Sequence, residues 1–241
     1  MDYLWEGLLT AFALLFSGDE STWSAALATV KVTALSMGIS LAVGIPLGFI
    51  LGYAEFPGRK GLRLCSDTLM ALPTVLIGLL VYAFICRRGP LGELGLLFSL
   101  RGIAIGQAML AIPIVASLTA QALESQDRRV RETLLTLGAR RFQMAAGCLH
   151  EARHSVMVAG FNAYGRVATE VGISLMVGGN VKWQTRTITT AISLETGKGE
   201  FATGIALGLI LLLMSFGVNL ALSFFRQRAG QINSPRTLSV S

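Results

Sequence analysis

Five stretches of this chain are apolar for long enough to cross a membrane, and no other feature limits its fold as much. They cover residues 24–53, 68–86, 103–123, 155–177 and 202–225. A hydrocarbon layer of about 30 Å takes roughly 20 apolar residues per helix, because every backbone N–H and C=O must be satisfied within the segment. A chain that is 53% hydrophobic and 14% charged, with mean hydropathy +0.62, fits that reading. The expectation is an all-α integral membrane protein with about five transmembrane helices.

Orientation follows from the cations. With the N-terminus outside, the inner loops and tail hold Arg59, Lys60, Arg63, Arg128, Arg129, Arg131, Arg140, Arg141, Arg153, Arg226, Arg228 and Arg236. The outer loops hold Arg87, Arg88, Arg101, Lys182, Arg186 and Lys198. Twelve against six predicts N-out and C-in, with Lys31 and Arg166 inside spans. The net charge of +6 therefore sits in interhelical loops and points to no nucleic-acid partner. Cys65, Cys86 and Cys148 are odd in number and lack C-x-x-C spacing, which predicts neither a disulfide framework nor a metal cluster.

Asp2, Glu6, Asp19 and Glu20 precede the first cation, Lys31, so the N-terminus does not read as a secretory signal. Residues 1–22 read as an outer interfacial segment, residues 23–226 as the membrane domain and residues 227–241 as a polar cytoplasmic tail. In the first span Gly44, Gly48 and Gly52 form a small-residue stripe that predicts close helix packing. Pro73 and Pro113 each remove an N–H and displace the carbonyl four residues back, at Leu69 and Met109. On the outer side, Arg87-Arg88-Gly89-Pro90 reads as a turn, and Ile188, Ala191, Ile192 and Glu195 as a short interfacial helix.

The inner loop, residues 124–153, has an apolar stripe at Leu135, Ala139, Phe142, Ala146 and Leu149. Gly138 interrupts the stripe and predicts two short helices with a bend. The helix that follows sets Asn162, Arg166, Thr169 and Glu170 on one face by three- and four-residue steps. Charges inside a membrane are expensive and mark function. The favoured reading is an Arg166–Glu170 pair that shapes or gates a pathway; direct contact of Arg166 with an anion and simple helix packing stay open. His150-Glu151-Ala152-Arg153-His154 also satisfies H-E-x-x-H, a zinc-protease signature. Catalytic zinc needs a third protein ligand, and the chain has 2 histidines.

Glu132 and Gly138 have the spacing of the EAA loop of ABC-importer permeases, although Thr133 and Leu134 replace its two alanines. Cys148, His150 and Glu151 stand where its later Ile-x-Leu-Pro element would be. Leu72-Pro73-Thr74, Gly89-Pro90-Leu91-Gly92, Ala111-Ile112-Pro113-Ile114-Val115 and the run from Glu170 through Gly178-Gly179-Asn180 follow the order seen in tungstate permeases. Nearly the whole chain resembles that oxyanion group, and Arg166 and Glu170-x-Gly172 are also similar to molybdate and sulfate permeases. The resemblance implies a type I permease fold and a homodimer around one path. It implies a cytoplasmic ATPase dimer docked on Glu132, Leu135, Gly138, Ala139, Arg140 and Phe142, and an extracytoplasmic substrate-binding protein. No G-x-x-x-x-G-K-[ST] occurs, so no cofactor is expected on this chain and ATP belongs to the partner. The rival readings are an intramembrane zinc metalloprotease and an ATP-independent secondary carrier. The expected location is the inner membrane, multi-pass, in contact with lipid.

Overall fold

The structure, a computed structural model, describes residues 2–16 and 18–231. Its helices are α1 (Asp2–Phe16), α2 (Glu20–Tyr53), α3 (Arg59–Met70), α4 (Thr74–Ile85), α5 (Leu100–Glu124) and α6 (Arg128–Thr136). They continue as α7 (Arg141–Glu151), α8 (Arg153–Ala168), α9 (Gly172–Gly178), α10 (Ile188–Gly197) and α11 (Phe201–Gln231). Among the described residues, α2, α5 and residues Phe201–Ala221 of α11 are each long and apolar enough to cross a membrane, and the bent pair α3–α4 makes a fourth candidate span. Residues 232–241, most of the expected polar tail, lie outside the described residues.

Helix α5 is the centre, buried over most of its length against α2, α3, α4, α8 and α9. Its N-terminus is capped by Ser99, whose Oγ accepts from Gly102 N at 3.0 Å. The α2–α5 pair is the most extensive in the molecule, and the glycine stripe is the reason. A Cβ on Gly44 would stand 2.8 Å from Val115 Cβ, and one on Gly52 2.7 Å from the Ala120 carbonyl oxygen. Without side chains at these positions the two backbones touch, which supplies dispersion energy where lipid offers no hydrophobic drive.

The expected span 68–86 is broken. Helices α3 and α4 meet at 101° across Ala71-Leu72-Pro73. Proline there cannot donate, and its ring excludes the normal bond to Leu69, whose carbonyl instead accepts from Leu72 N at 3.3 Å. With 12 residues, α4 is about 18 Å long and crosses only part of the layer. Helix α3 is tied down by its charges. Arg59 Nε donates to Leu51 O at 2.6 Å and Arg59 Nη2 pairs with Glu124 at 2.6 Å, joining the ends of α2, α3 and α5. Arg63 Nη1 donates to Ser117 O at 2.7 Å, and the Ser117 hydroxyl donates to Asp67.

At the opposite end, Asp19 caps α2 by accepting from Thr22 N at 2.8 Å. Hydroxyl bonds from Thr22 and Ser21 hold its carboxyl below the usual range. Helix α1 packs along α11, where a Cβ on Gly7 would meet Ile205. The expected interfacial helix at Ile188 is buried instead: Ile188 and Ala191 pack with Ala25, Leu207 and Ile210 between α2 and α11. Burial leaves Ile188 N in need of an acceptor, and it donates to Thr29 Oγ1 at 2.9 Å.

Candidate functional site

The Arg166–Glu170 pair expected from spacing does not form. The helix ends at Ala168 and resumes as α9 at Gly172, so Glu170 turns inward while Arg166 stays exposed on α8. Glu170 is 4% exposed, and its Oε1 accepts from Ile173 N at 3.0 Å. A carboxyl so placed accepts from an otherwise orphan N–H at a helix start. Its backbone carbonyl accepts from Thr189 Oγ1 at 3.0 Å, tying the break to α10. The ion pairs among the described residues are Arg59–Glu124, Arg63–Asp67 and Lys198–Glu195.

Threonines that sequence reasoning passed over build the wall behind this break. Asn180 Oδ1 accepts from Thr190 Oγ1 at 3.0 Å and from Arg186 Nε at 3.1 Å. Gln107 Nε2 on α5 donates to Ser174 Oγ at 3.3 Å. The dense Thr185-Arg186-Thr187-Ile188-Thr189-Thr190 run was the available signal, since hydroxyls capture backbone groups where helices break.

These contacts predict a specific stability result. Glu170→Ala should cost about 1 kcal/mol, as for a lost helix cap, whereas Glu170→Gln keeps an acceptor and should cost less. Combining Glu170→Ala with Arg166→Ala should give additive losses to within about 0.5 kcal/mol, the behaviour of sites that do not touch. Thermal melts of the purified variants measure both; strong coupling would restore the ion pair.

Helix α8 has two contrasting faces. Val156, Ala159, Ala163 and Val167 are buried, the last two against Ala111 and Val115 of α5. The opposite stripe exposes Ser155, Val158, Asn162, Arg166 and Thr169. Exposed faces of α2, α4 and α11 instead carry large apolar side chains such as Leu47, Leu79, Phe84 and Phe216. Asn162 Nδ2 donates to Val158 O at 3.0 Å and Thr169 Oγ1 to Gly165 O at 3.0 Å, so both turn back on the backbone.

The inner loop folds as two short helices, α6 and α7, bent at Gly138 as its sequence predicts. Gly138 has φ +73°, its N–H donates to Leu135 O at 3.0 Å, and Ala139 N donates to Leu134 O at 3.0 Å. That pair of bonds is the Schellman termination, whose left-handed residue favours glycine. Arg140 N then donates to Gln143 Oε1 at 2.9 Å and starts α7.

The bend splits the expected apolar stripe. Leu149 turns inward with Leu134, Cys148, Ala152 and Val156, while Leu135 and Phe142 point outward and Ala146 is exposed. Burial raises the Cys148 thiol pKa, partly offset by Arg131. The outer surface combines Leu135 (53% exposed), Phe142 (83%) and Leu137 (77%), the last missed in the sequence, with the exposed Glu132 and Arg140. Ala139 is half-buried at the bend.

The H-E-x-x-H match spans a helix junction. Helix α7 ends at Glu151 and α8 begins at Arg153, and Arg153 Nη1 donates to His150 O at 2.9 Å. Among the described residues no three His, Cys, Asp or Glu side chains gather to hold a metal ion.

Comparison with known proteins adds relationship to this geometry. Residues 44–231 match the family described as binding-protein-dependent transport system inner membrane component. The chain is 43% identical over 219 residues to the tungstate uptake system permease protein TupB of Campylobacter jejuni, covering 91% of this chain and 92% of the relative. It is 34% identical over 219 residues to TupB of Peptoclostridium acidaminophilum, covering 91% and 96%. Among solved structures, a chain of the MetNI methionine ABC transporter in inward facing conformations superposes with a TM-score of 0.66. That match is 15% identical and covers 89% of this chain and 97% of the other, a likeness of fold.

Proposed function

The chain belongs to the binding-protein-dependent transport system inner membrane component family, and from that premise we propose that it carries tungstate. It is a multi-pass inner-membrane permease subunit of an ABC importer, and it works with an ATPase and a substrate-binding protein rather than as an enzyme itself. The relatives give no support to a metalloprotease or an ATP-independent carrier. The cargo rests on one observation, the 43% identity over 91% of the chain to a tungstate permease.

The rest of the reading is mechanical. Two copies enclose one path, because a single bundle has no partner half against which to rock. The N-terminus lies outside, and α1 rests at the outer surface. The outward group of Leu135, Leu137 and Phe142, rimmed by Glu132 and Arg140, seats on a cytoplasmic ATPase dimer. Ala152 is the single residue between α7 and α8, so no slack linker absorbs the movement of the dock. Closure of the ATPases moves α7, and α8 moves with it. The stripe through Asn162, Arg166 and Thr169 lines the path, and Glu170 shapes its wall by fixing the α8–α9 break.

Labelled uptake into proteoliposomes holding the whole importer tests the cargo. Tungstate should accumulate when ATP is enclosed with the ATPase, unlabelled tungstate should compete fully, and sulfate should compete poorly. Sulfate competing as well as tungstate would overturn the assignment.

A further inference from the structure

We infer that Arg166 is a direct contact for the oxyanion dianion in transit, one guanidinium from each copy, not half of a gating ion pair. The inference rests on the permease reading above and adds a substrate-contacting residue to it. Arg166 lies 13 residues into α8, about 20 Å along the helix from its basic start and inside the apolar run 155–177 that the sequence marks as a span.

A cation at that depth is tolerated only against protein, water or an anion. The structure removes protein of its own chain as the answer. Among the described residues Arg166 has no hydrogen bond or ion pair from its guanidinium, and Glu170, the nearest acid ahead of it in the chain, is spent on Ile173 N. Helix α8 contains no Asp or Glu, so its exposed stripe is positive without compensation. The same stripe argues against lipid as its cover, since Ser155, Asn162 and Thr169 flank the exposed Val158 where the lipid-like faces carry leucine and phenylalanine.

The remaining cover is a watery path between two copies. With the Asn162 amide and the Thr169 hydroxyl bonded to their own backbone, Arg166 is the charged donor that such a path presents. Guanidinium N–H groups match a tetrahedral oxyanion's oxygens in pairs. Two arginines related by the dimer axis would balance a doubly charged anion. One contact per side, without a closed cage, lets the anion leave again.

The test uses the complete importer in proteoliposomes, with tungstate uptake and binding-protein-stimulated ATP hydrolysis read together. Arg166→Gln should lower uptake roughly tenfold or more, the scale of losing a hydrogen bond to a charged group, while stimulated ATP hydrolysis persists. Arg166→Lys should keep a substantial part of the uptake, and Arg166→Glu should abolish it.

Arg166→Cys then separates charge from packing. A thiol reagent that adds an ammonium group should restore uptake, and one of similar size that adds a sulfonate should not. The unmodified importer treated in parallel registers any effect through Cys65, Cys86 or Cys148. Equal recovery with both reagents, or unchanged uptake in Arg166→Gln, would overturn the inference. Absence of tungstate uptake by the unmodified, untreated importer would instead overturn the cargo assignment.

Discussion

Gly48→Val should leave almost no folded protein in the membrane. Gly48 is buried where α2 crosses α5, and a Cβ at this position would overlap the Ala116 carbonyl oxygen and stand 2.6 Å from Thr119 Cβ. Backbone cannot move aside as a flexible side chain can. The helices would have to separate along the whole stripe, since a Cβ on Gly44 or Gly52 would also come within 3 Å of Val115 or Ala120. Overpacking a core commonly costs about 1–3 kcal/mol, and two rigid backbones put this site at or above the upper end. The sharpest comparison is Gly38→Val on the same helix, where a Cβ meets nothing within 4 Å and little loss is expected. Membrane abundance and the melting temperature of purified protein measure both variants. A Gly48→Val protein that accumulates and melts like the unsubstituted one would disprove the close-packing account.

That stripe was legible in the sequence because its cause is local: three glycines at every fourth position have no cheaper explanation than a neighbouring helix. The bend of the inner loop was legible for the same reason, since Gly138 sits where one helical pattern stops and another starts. Hydropathy does not record where backbone bonds are surrendered within an apolar run. The runs 68–86 and 155–177 both read as single helices, yet one turns at Leu72-Pro73 and the other opens at Thr169-Glu170-Val171. The first break had a proline to announce it. The second had only Glu170 two positions before Gly172, a cap that looks like one half of an ion pair when the helix is assumed continuous. Spacing arguments hold only within an unbroken helix, and Arg166 and Glu170 fall at the end of one. The α6–α7 surface was half legible: its residues were identified, but which of them face outward depends on a left-handed turn that no periodicity contains.

Gly138→Pro should uncouple ATP hydrolysis from transport while leaving the protein in the membrane. Proline holds φ near −65°, and Gly138 sits at φ +73°, so the Schellman termination cannot survive the substitution. The Gly138 N–H bond to Leu135 O is lost as well. No heavy atom lies within 4 Å of a Cβ there, so the damage is to backbone direction and not to packing. Gly138→Ala isolates the conformational part, because a left-handed non-glycine residue costs roughly 1–2 kcal/mol, and it should be milder. Phe142→Asp approaches the same surface without touching the fold: its ring is 83% exposed and outside the inward cluster of Leu134, Cys148 and Leu149. If that ring inserts into an ATPase groove, a charge there should weaken assembly of the complex and lower uptake by an order of magnitude or more, as for a buried aromatic anchor. Co-purification of the ATPase, ATP hydrolysis per tungstate transported and membrane abundance separate the cases. Gly138→Pro should retain some ATPase and hydrolyse wastefully, whereas Phe142→Asp should lose the partner. Normal uptake in stably expressed forms of both would remove the α6–α7 surface from the coupling pathway.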